Sequence, residues 1–243
     1  MIDIHCHILP GIDDGPGNMQ DAVKMARLAV KDGVHTVIAT PHCFDGVYNC
    51  QDYDIIGLCE EFNAILETEN IALVVLPGAE VRFTPELILA VEQGRALTLA
   101  NSYSFLLVEL PEFFIPEAVA GIVRLLWETE IRIILAHPER NSMILGNSDI
   151  LRRLIDAGAE VQLTGDSLLG NLGKEPQKLA RRLLQMDVPC YLASDGHGVR
   201  LRKPLLAKAL KAAGKVIGKQ RIAELVDINL NVMPQNFAVL AIN

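Results

Sequence analysis

The sequence predicts an α/β fold in which a parallel sheet closes, or nearly closes, into a barrel. Three observations carry this expectation. Short β-branched runs alternate with longer amphipathic stretches from one end of the chain to the other. The short runs are apolar throughout, as strands buried on both faces of a parallel sheet are. The chain has 243 residues, a size that suits one barrel-type domain of about 200–250 residues.

In chain order, strands are expected at Ile2–Ile4, His35–Thr40, Leu73–Leu76, Ser104–Val108, Arg132–Ala136, Ala159–Leu163 and Tyr191–Ala193. Helices are expected between them, at Asn18–Asp32, Asp52–Glu69, Pro85–Gln93, Pro116–Glu130, Ser148–Ala157, Glu175–Met186 and Lys203–Val216. In the first helix Ala22, Met25, Ala26, Ala29 and Val30 recur with a period near 3.6. Thr84-Pro85 opens one helix, and Gly33 and Gly158 close two others. The segment 219–243 starts helical and then loses its pattern. No linker, repeat or low-complexity stretch intervenes, so residues 1–243 read as a single domain.

Composition narrows the function classes. With 22 Lys+Arg against 30 Asp+Glu, the net charge is −8, which argues against a nucleic-acid binder or a basic membrane-surface protein. Half the residues are hydrophobic and 21% are charged, so disorder is not expected. Apolar runs such as Ile71–Leu76 are far shorter than the ~20 residues of a membrane span. The start MIDIHCH lacks the basic and apolar regions of a signal peptide, so a cytoplasmic location is expected. The five cysteines show no C-x-x-C spacing and read as reduced thiols.

The chemistry lies at the strand ends. The first strand runs into His5 and His7, the second into His42, the third toward Glu80, and the fourth into Glu109. The fifth leads to His137 and the last to Asp195 and His197. Six of the seven strands therefore deliver a His, Asp or Glu at their C-terminal ends, and five of the six histidines fall there. In a parallel barrel those ends share one face, where active sites are built. His35, at a strand start, is left outside this set. H-x-H and D-x-H spacings place both side chains on one face of an extended segment. Asp14, in Gly11–Gly15, makes a ninth candidate.

Nine nitrogen and oxygen ligands exceed the needs of one ion, so two or three divalent metals are expected. Manganese comes first, with iron or zinc as alternatives. Such clusters generate hydroxide near neutral pH and clamp a phosphoryl group. Asp3 and Asp13 are either groups that support the ligands or plain solvated acids. Cys6 and Cys43 are read as packing residues. The C-x5-R, G-x4-G-K-[ST] and G-x-S-x-G signatures are absent.

Met1–Gly15, Thr40-Pro-His42, Gly78-Ala-Glu80, Ala136-His-Pro-Glu-Arg140 and Ser194-Asp-Gly-His197 resemble, in order and spacing, the motifs of the PHP (polymerase and histidinol phosphatase) superfamily. They look most like the metal-dependent protein-tyrosine phosphatases of bacterial capsule and exopolysaccharide operons. That resemblance implies a distorted (β/α)7 TIM-like barrel with a trinuclear site. One metal would be held by His5, His7, Glu80 and Asp195, a second by Glu80, Glu109 and His137, and the third by Asp14, His42 and His197. It implies phosphate-binding arginines at Arg140 and Arg202, with Arg200 a rival for the second. The implied substrate is the phosphotyrosine tail of a capsule-type tyrosine kinase. A histidinol-phosphate or other small-molecule phosphatase is the alternative enzyme, and a metal-binding module without turnover the alternative of another class. The segments Phe44–Asp52 and Asn141–Ser148 are the expected walls of the substrate site.

Overall fold

The structure, a computed structural model, describes residues 1–48 and 54–234. Every strand pair in it is parallel. Strands β1 (Ile2–Cys6), β2 (Thr36–Ala39) and β4 (Val74–Pro77) form one sheet in the order β1-β2-β4. A second sheet has the order β3-β5-β6-β7-β8-β9. It comprises β3 (His42–Cys43), β5 (Glu80–Arg82), β6 (Phe105–Glu109), β7 (Arg132–Leu135), β8 (Glu160–Thr164) and β9 (Cys190–Ala193).

Two of the expected strands thus continue past a break. Pro41, which has no N–H to give a ladder, separates β2 from β3, and Gly78-Ala79 separates β4 from β5. The sheets meet across the breaks, where the Glu80 N–H donates to Pro41 O at 3.1 Å. They meet again where Cys6 bridges Gly196. There Asp195 N donates to His5 O at 2.9 Å and His7 N to Gly196 O at 2.8 Å.

Side-chain alternation divides the core in two. Phe105, Leu107, Ile134, Ala136, Tyr191 and Ala193 join Ile2, Ile4 and Ile38 in a smaller cluster. Their neighbours Leu106, Val108, Ile133, Leu135 and Leu192 belong to the larger cluster, with Met25 and Phe62 from the helices. Burial on both faces is the physical basis of the apolar runs. In β1 the faces switch. Ile2 and Ile4 lie in the smaller cluster but Cys6 lies in the larger one. A register shift between Asp3 and Cys6 lies between them, as one extra residue in a ladder turns later side chains over.

The helices are α1 (Met19–Lys31), α2 (Ile55–Thr68), α3 (Leu87–Glu92), α4 (Val119–Glu128), α5 (Ser142–Gly146), α6 (Ser148–Asp156), α7 (Gly165–Leu169), α8 (Lys174–Gln185) and α9 (Ala207–Asp227). Asn18 caps α1 by accepting from Asp21 N. Gly33 and Gly158 take positive φ just beyond α1 and α6. Gly218 breaks α9 with φ 80°. The one-and-a-half-turn α5 and α7 were not expected, and the expected helix start at Asp52 lies outside the described residues. One expectation about cysteine is corrected: Cys43 is disulfide-bonded, while Cys6, Cys59 and Cys190 are free and buried. No helix among the described residues is long and apolar enough to cross a membrane.

Candidate metal centre

The strand-end residues converge. His5, within the register shift of β1, and His7, beyond it, bring their Nε2 atoms within 3.2 Å of each other. His5 Nε2 lies 3.4 Å from Glu80 Oε2 and 3.5 Å from Asp195 Oδ1. His7 Nε2 lies 3.3 Å and 3.6 Å from the same two oxygens. His42 Nδ1 is 3.1 Å from Glu80 Oε2, and His137 Nε2 is 2.8 Å from Glu80 Oε1. His197 Nε2 and His42 Nε2 lie 3.1 Å and 3.5 Å from Asp14 Oδ1. Glu109 joins through His42 and Glu80, so all nine sequence-selected candidates lie in one group.

Their grouping differs in detail from the implied sets. Ligand atoms cluster as His5–His7–Glu80, as His7–Asp14–His42–His197, as His5–His137–Asp195, and as His42–Glu80–Glu109. Glu109 thus keeps company with His42, and His137 with Asp195. His35 is exposed and pairs locally with Thr36 Oγ1 at 2.9 Å, away from the group.

The donor set fits divalent ions. The oxygen of the Gln162 amide accepts from the backbone N–H of His137 at 3.1 Å, so its contact with His5 Nδ1 at 2.8 Å is also an acceptance. His5 Nδ1 must carry the hydrogen, and Nε2 presents a lone pair. Asp13 Oδ2 does the same for His7 Nδ1 at 2.6 Å. The backbone oxygen of Asp195 does it for His197 Nδ1 at 2.9 Å. Lone pairs thus face lone pairs and carboxylate oxygens. Glu80 Oε2, Asp195 Oδ1 and His197 Nε2 are buried without a hydrogen-bond partner among the described residues. A cation at the centre would satisfy all three at once.

Electrostatics agree. Burial opposes charge on Glu80, yet His5 and His137 hold its carboxyl well below the usual range. Burial likewise disfavours a charged His7, but its bonds to Asp13 and Glu80 raise it to about 10. The cluster therefore draws in a cation, and protons and metal ions compete for it. His137 is pushed down to about 4 by burial and by Arg140.

Local backbone explains how the loops deliver these groups. A Cβ on Gly15 would lie 2.3 Å from His7 O, so only glycine lets the Asp13-Asp14 loop lie against β1. Asp3 accepts from Ser194 N at 2.9 Å, tying β1 to the loop that carries Asp195 and His197. His137, Asp195 and Arg202 have φ of 31°, 52° and 45°. Such left-handed non-glycine residues carry strain that surrounding contacts must hold. After His137, Pro138 starts a short 3₁₀ turn that ends at Arg140.

Arg140 and Arg202 both bond Asp195 Oδ2, Arg202 at 2.6 Å. Arg200 is exposed and does not share this contact. Beside Arg140 lies a cleft of about 150 Å³ lined by Arg82, Glu109, Leu110, Glu112, Ala136, His137, Arg140 and Asn141. Asn141, from one expected wall, lines it. The other, Phe44–Asp52, is described only as far as residue 48, where the Tyr48 ring stacks on His42 with centroids 5.9 Å apart. Sequence reasoning left Asp13 undecided and missed Gln162, Arg82 and Glu139. Glu139, buried and raised to about 7 by that burial, accepts from Thr164 N at 3.0 Å.

Residues 1–233 match the family model described as Capsular polysaccharide synthesis, CpsB/CapC. The chain belongs to the CpsB/CapC family. A relative, Tyrosine-protein phosphatase YwqE of Bacillus subtilis (strain 168), is 37% identical over 226 residues, 90% of this chain and 86% of that protein. A crystal structure from work on YwqE of Bacillus subtilis and CpsB of Streptococcus pneumoniae, described as metal-dependent tyrosine phosphatases, superposes with a TM-score of 0.90. It shares 35% identity and covers 96% of this chain and 94% of its own. A TatD-like protein from Archaeoglobus fulgidus, at 14% identity and a TM-score of 0.53, covers 95% of this chain and 100% of its own, and shares the fold alone.

Proposed function

We propose that this CpsB/CapC chain is a metal-dependent protein-tyrosine phosphatase of capsule or exopolysaccharide synthesis. The observation that carries the reading is the meeting of five histidines and four carboxylates beside two guanidiniums that share one carboxylate oxygen. His5, His7, Asp14, His42, Glu80, Glu109, His137, Asp195 and His197 would hold two or three divalent ions, manganese first among them. Ions held there would supply activated water and would neutralise phosphate charge.

The residues of the chain do the rest. Arg140 and Arg202 present planar forks to the phosphate oxygens, Arg140 from the wall of the cleft. Asp195 orients both forks before substrate arrives. Gln162 and Asp13 fix which nitrogens of His5 and His7 face inward. A phenolate leaving group, with a parent pKa near 10, needs less help from an acid than an alkoxide does. The natural substrate in this reading is the phosphotyrosine tail of a capsule-type tyrosine kinase, met in the cytoplasm. The architecture is read as a single-domain distorted (β/α)7 barrel, with β2–β3 and β4–β5 as two interrupted staves. Chelation should abolish release of phosphate from a phosphotyrosyl peptide, and manganese should restore it. Full activity in a preparation shown by elemental analysis to be metal-free would overturn the reading.

A further inference from the structure

The segment between β6 and α4 reads Leu110-Pro-Glu-Phe-Phe-Ile-Pro116. It is held at both ends. Leu110 is buried, and Ile115 packs against the large core cluster. Asn141 Nδ2 donates to Pro111 O at 3.0 Å, and Ser142 Oγ donates to Glu112 O at 2.7 Å. Two prolines restrict the backbone further. Yet between these anchors Phe113 is 84% exposed and Phe114 is 69% exposed. A pinned loop that keeps two adjacent phenylalanines in water is the mark of a contact surface rather than of slack packing.

Its position says what it contacts. Leu110 and Glu112 line the same cleft as Arg140, and Asn141 and Ser142, which fasten the loop, directly follow that arginine. The platform is therefore continuous with the phosphate end of the site. Beside the second arginine in the chain, Leu201, 83% exposed, precedes Arg202. Each guanidinium that bonds Asp195 thus has an exposed apolar group close by.

Resting on the phosphatase reading above, we infer that Phe113 and Phe114 bind the substrate polypeptide beside its phosphotyrosine. They select an extended segment that carries an apolar or aromatic side chain next to the phosphorylated residue. Two phenylalanines supply about 300–500 Å², below the ~800 Å² per partner of a stable dimer but sufficient for a short segment. Exposed Glu112 and Glu117 flank the pair, which disfavours an anionic lipid surface and an acidic flank on the substrate.

The test compares kcat/KM for two phosphotyrosyl peptides, one with Leu or Phe on both sides of the phosphotyrosine and one with Ser there. Each value is normalised to para-nitrophenyl phosphate, which has no flanking chain. The wild-type protein should favour the apolar-flanked peptide by about tenfold or more, through KM. Phe113→Ser/Phe114→Ser should reduce that ratio to near one. Equal use of the two peptides by the wild type, or an unchanged ratio in the double variant, would overturn the inference. So would a wild-type dimer in sedimentation that the double variant dissolves, which would assign the face to a second copy. Cleavage of para-nitrophenyl phosphate but of neither peptide would instead overturn the phosphatase reading beneath it.

Discussion

The side-chain oxygen of Gln162 lies 2.8 Å from Nδ1 of His5 and fixes that histidine's tautomer from a strand that supplies no ligand of its own. The same oxygen holds the backbone of His137, which sits at φ 31°. One amide thus aims two of the candidate ligands.

Gln162→Leu should therefore weaken metal binding by about 10–100-fold, the usual cost of removing a group that orients a ligand. Gln162→Glu keeps an acceptor and should restore much of the loss. Titration against a chelator of known affinity reads this directly. Equal metal affinity in the wild type and Gln162→Leu would show that His5 needs no such partner.

Glu80 and Asp14 should differ in what their loss removes. Both Glu80 oxygens face histidines, His137 on one and His5, His7 and His42 on the other. Asp14 faces chiefly His42 and His197 and is 40% exposed. Glu80→Ala should lower the metal content per chain more than Asp14→Ala does, with activity falling in the same order. Metal analysis of the purified variants decides it, and an unchanged stoichiometry in Glu80→Ala would remove that residue from its central place.

Arg140→Ala should cost about 2–4 kcal/mol of transition-state stabilisation, the range for a preorganised donor at a developing charge. Arg202→Ala should act in the same direction, because both arginines meet at Asp195 Oδ2. Arg200→Ala should stay near wild type. If kcat/KM fell for Arg200→Ala and held for Arg202→Ala, the assignment would be reversed.

Much of the convergence was legible because the candidate residue types are uncommon and follow apolar runs. His5, His42, His137 and Asp195 stand out against valine and isoleucine. Gln162 did not, since a lone polar residue within Glu160–Thr164 looks like ordinary alternation. The bulge that turns His5 and His7 inward and Cys6 outward leaves no mark in the sequence beyond the H-x-H itself. The choice of Arg202 over Arg200 depends on a left-handed backbone at Arg202 that nothing in Gly198–Leu201 announces. The two sheet breaks have readable causes, Pro41 and Gly78, but a proline after a strand usually ends it rather than interrupting it.

Below the centre, Tyr191 gives an alkaline prediction. Its hydroxyl donates to Glu160 Oε2 at 2.6 Å, and burial raises it to about 12 despite nearby Arg132. The folded state therefore favours the neutral phenol. That contribution is complete below about pH 10, where the phenol of an unfolded chain titrates, and is lost as the pH rises toward 12. Relative to Tyr191→Phe, the wild type should lose about 2–3 kcal/mol over that window, at roughly 1.4 kcal/mol for each step of one in pH. Urea unfolding at pH 9 and pH 11.5 measures it, and a constant difference between the two proteins would contradict the buried, neutral phenol.

The bridge between Cys6 and Gly196 joins residues 190 positions apart in the chain. During synthesis at about 5–20 residues per second, His5 and His7 leave the ribosome roughly 10–40 s before Asp195 and His197. For that interval β1 lacks its far neighbour and the inward-facing imidazoles have no carboxylate of Asp195 to meet. The full set of candidate metal-holding side chains is thus complete only late in synthesis, once Asp195 and His197 have followed β9. A nascent chain halted before β9 would carry the first histidines of the centre without its closing seam.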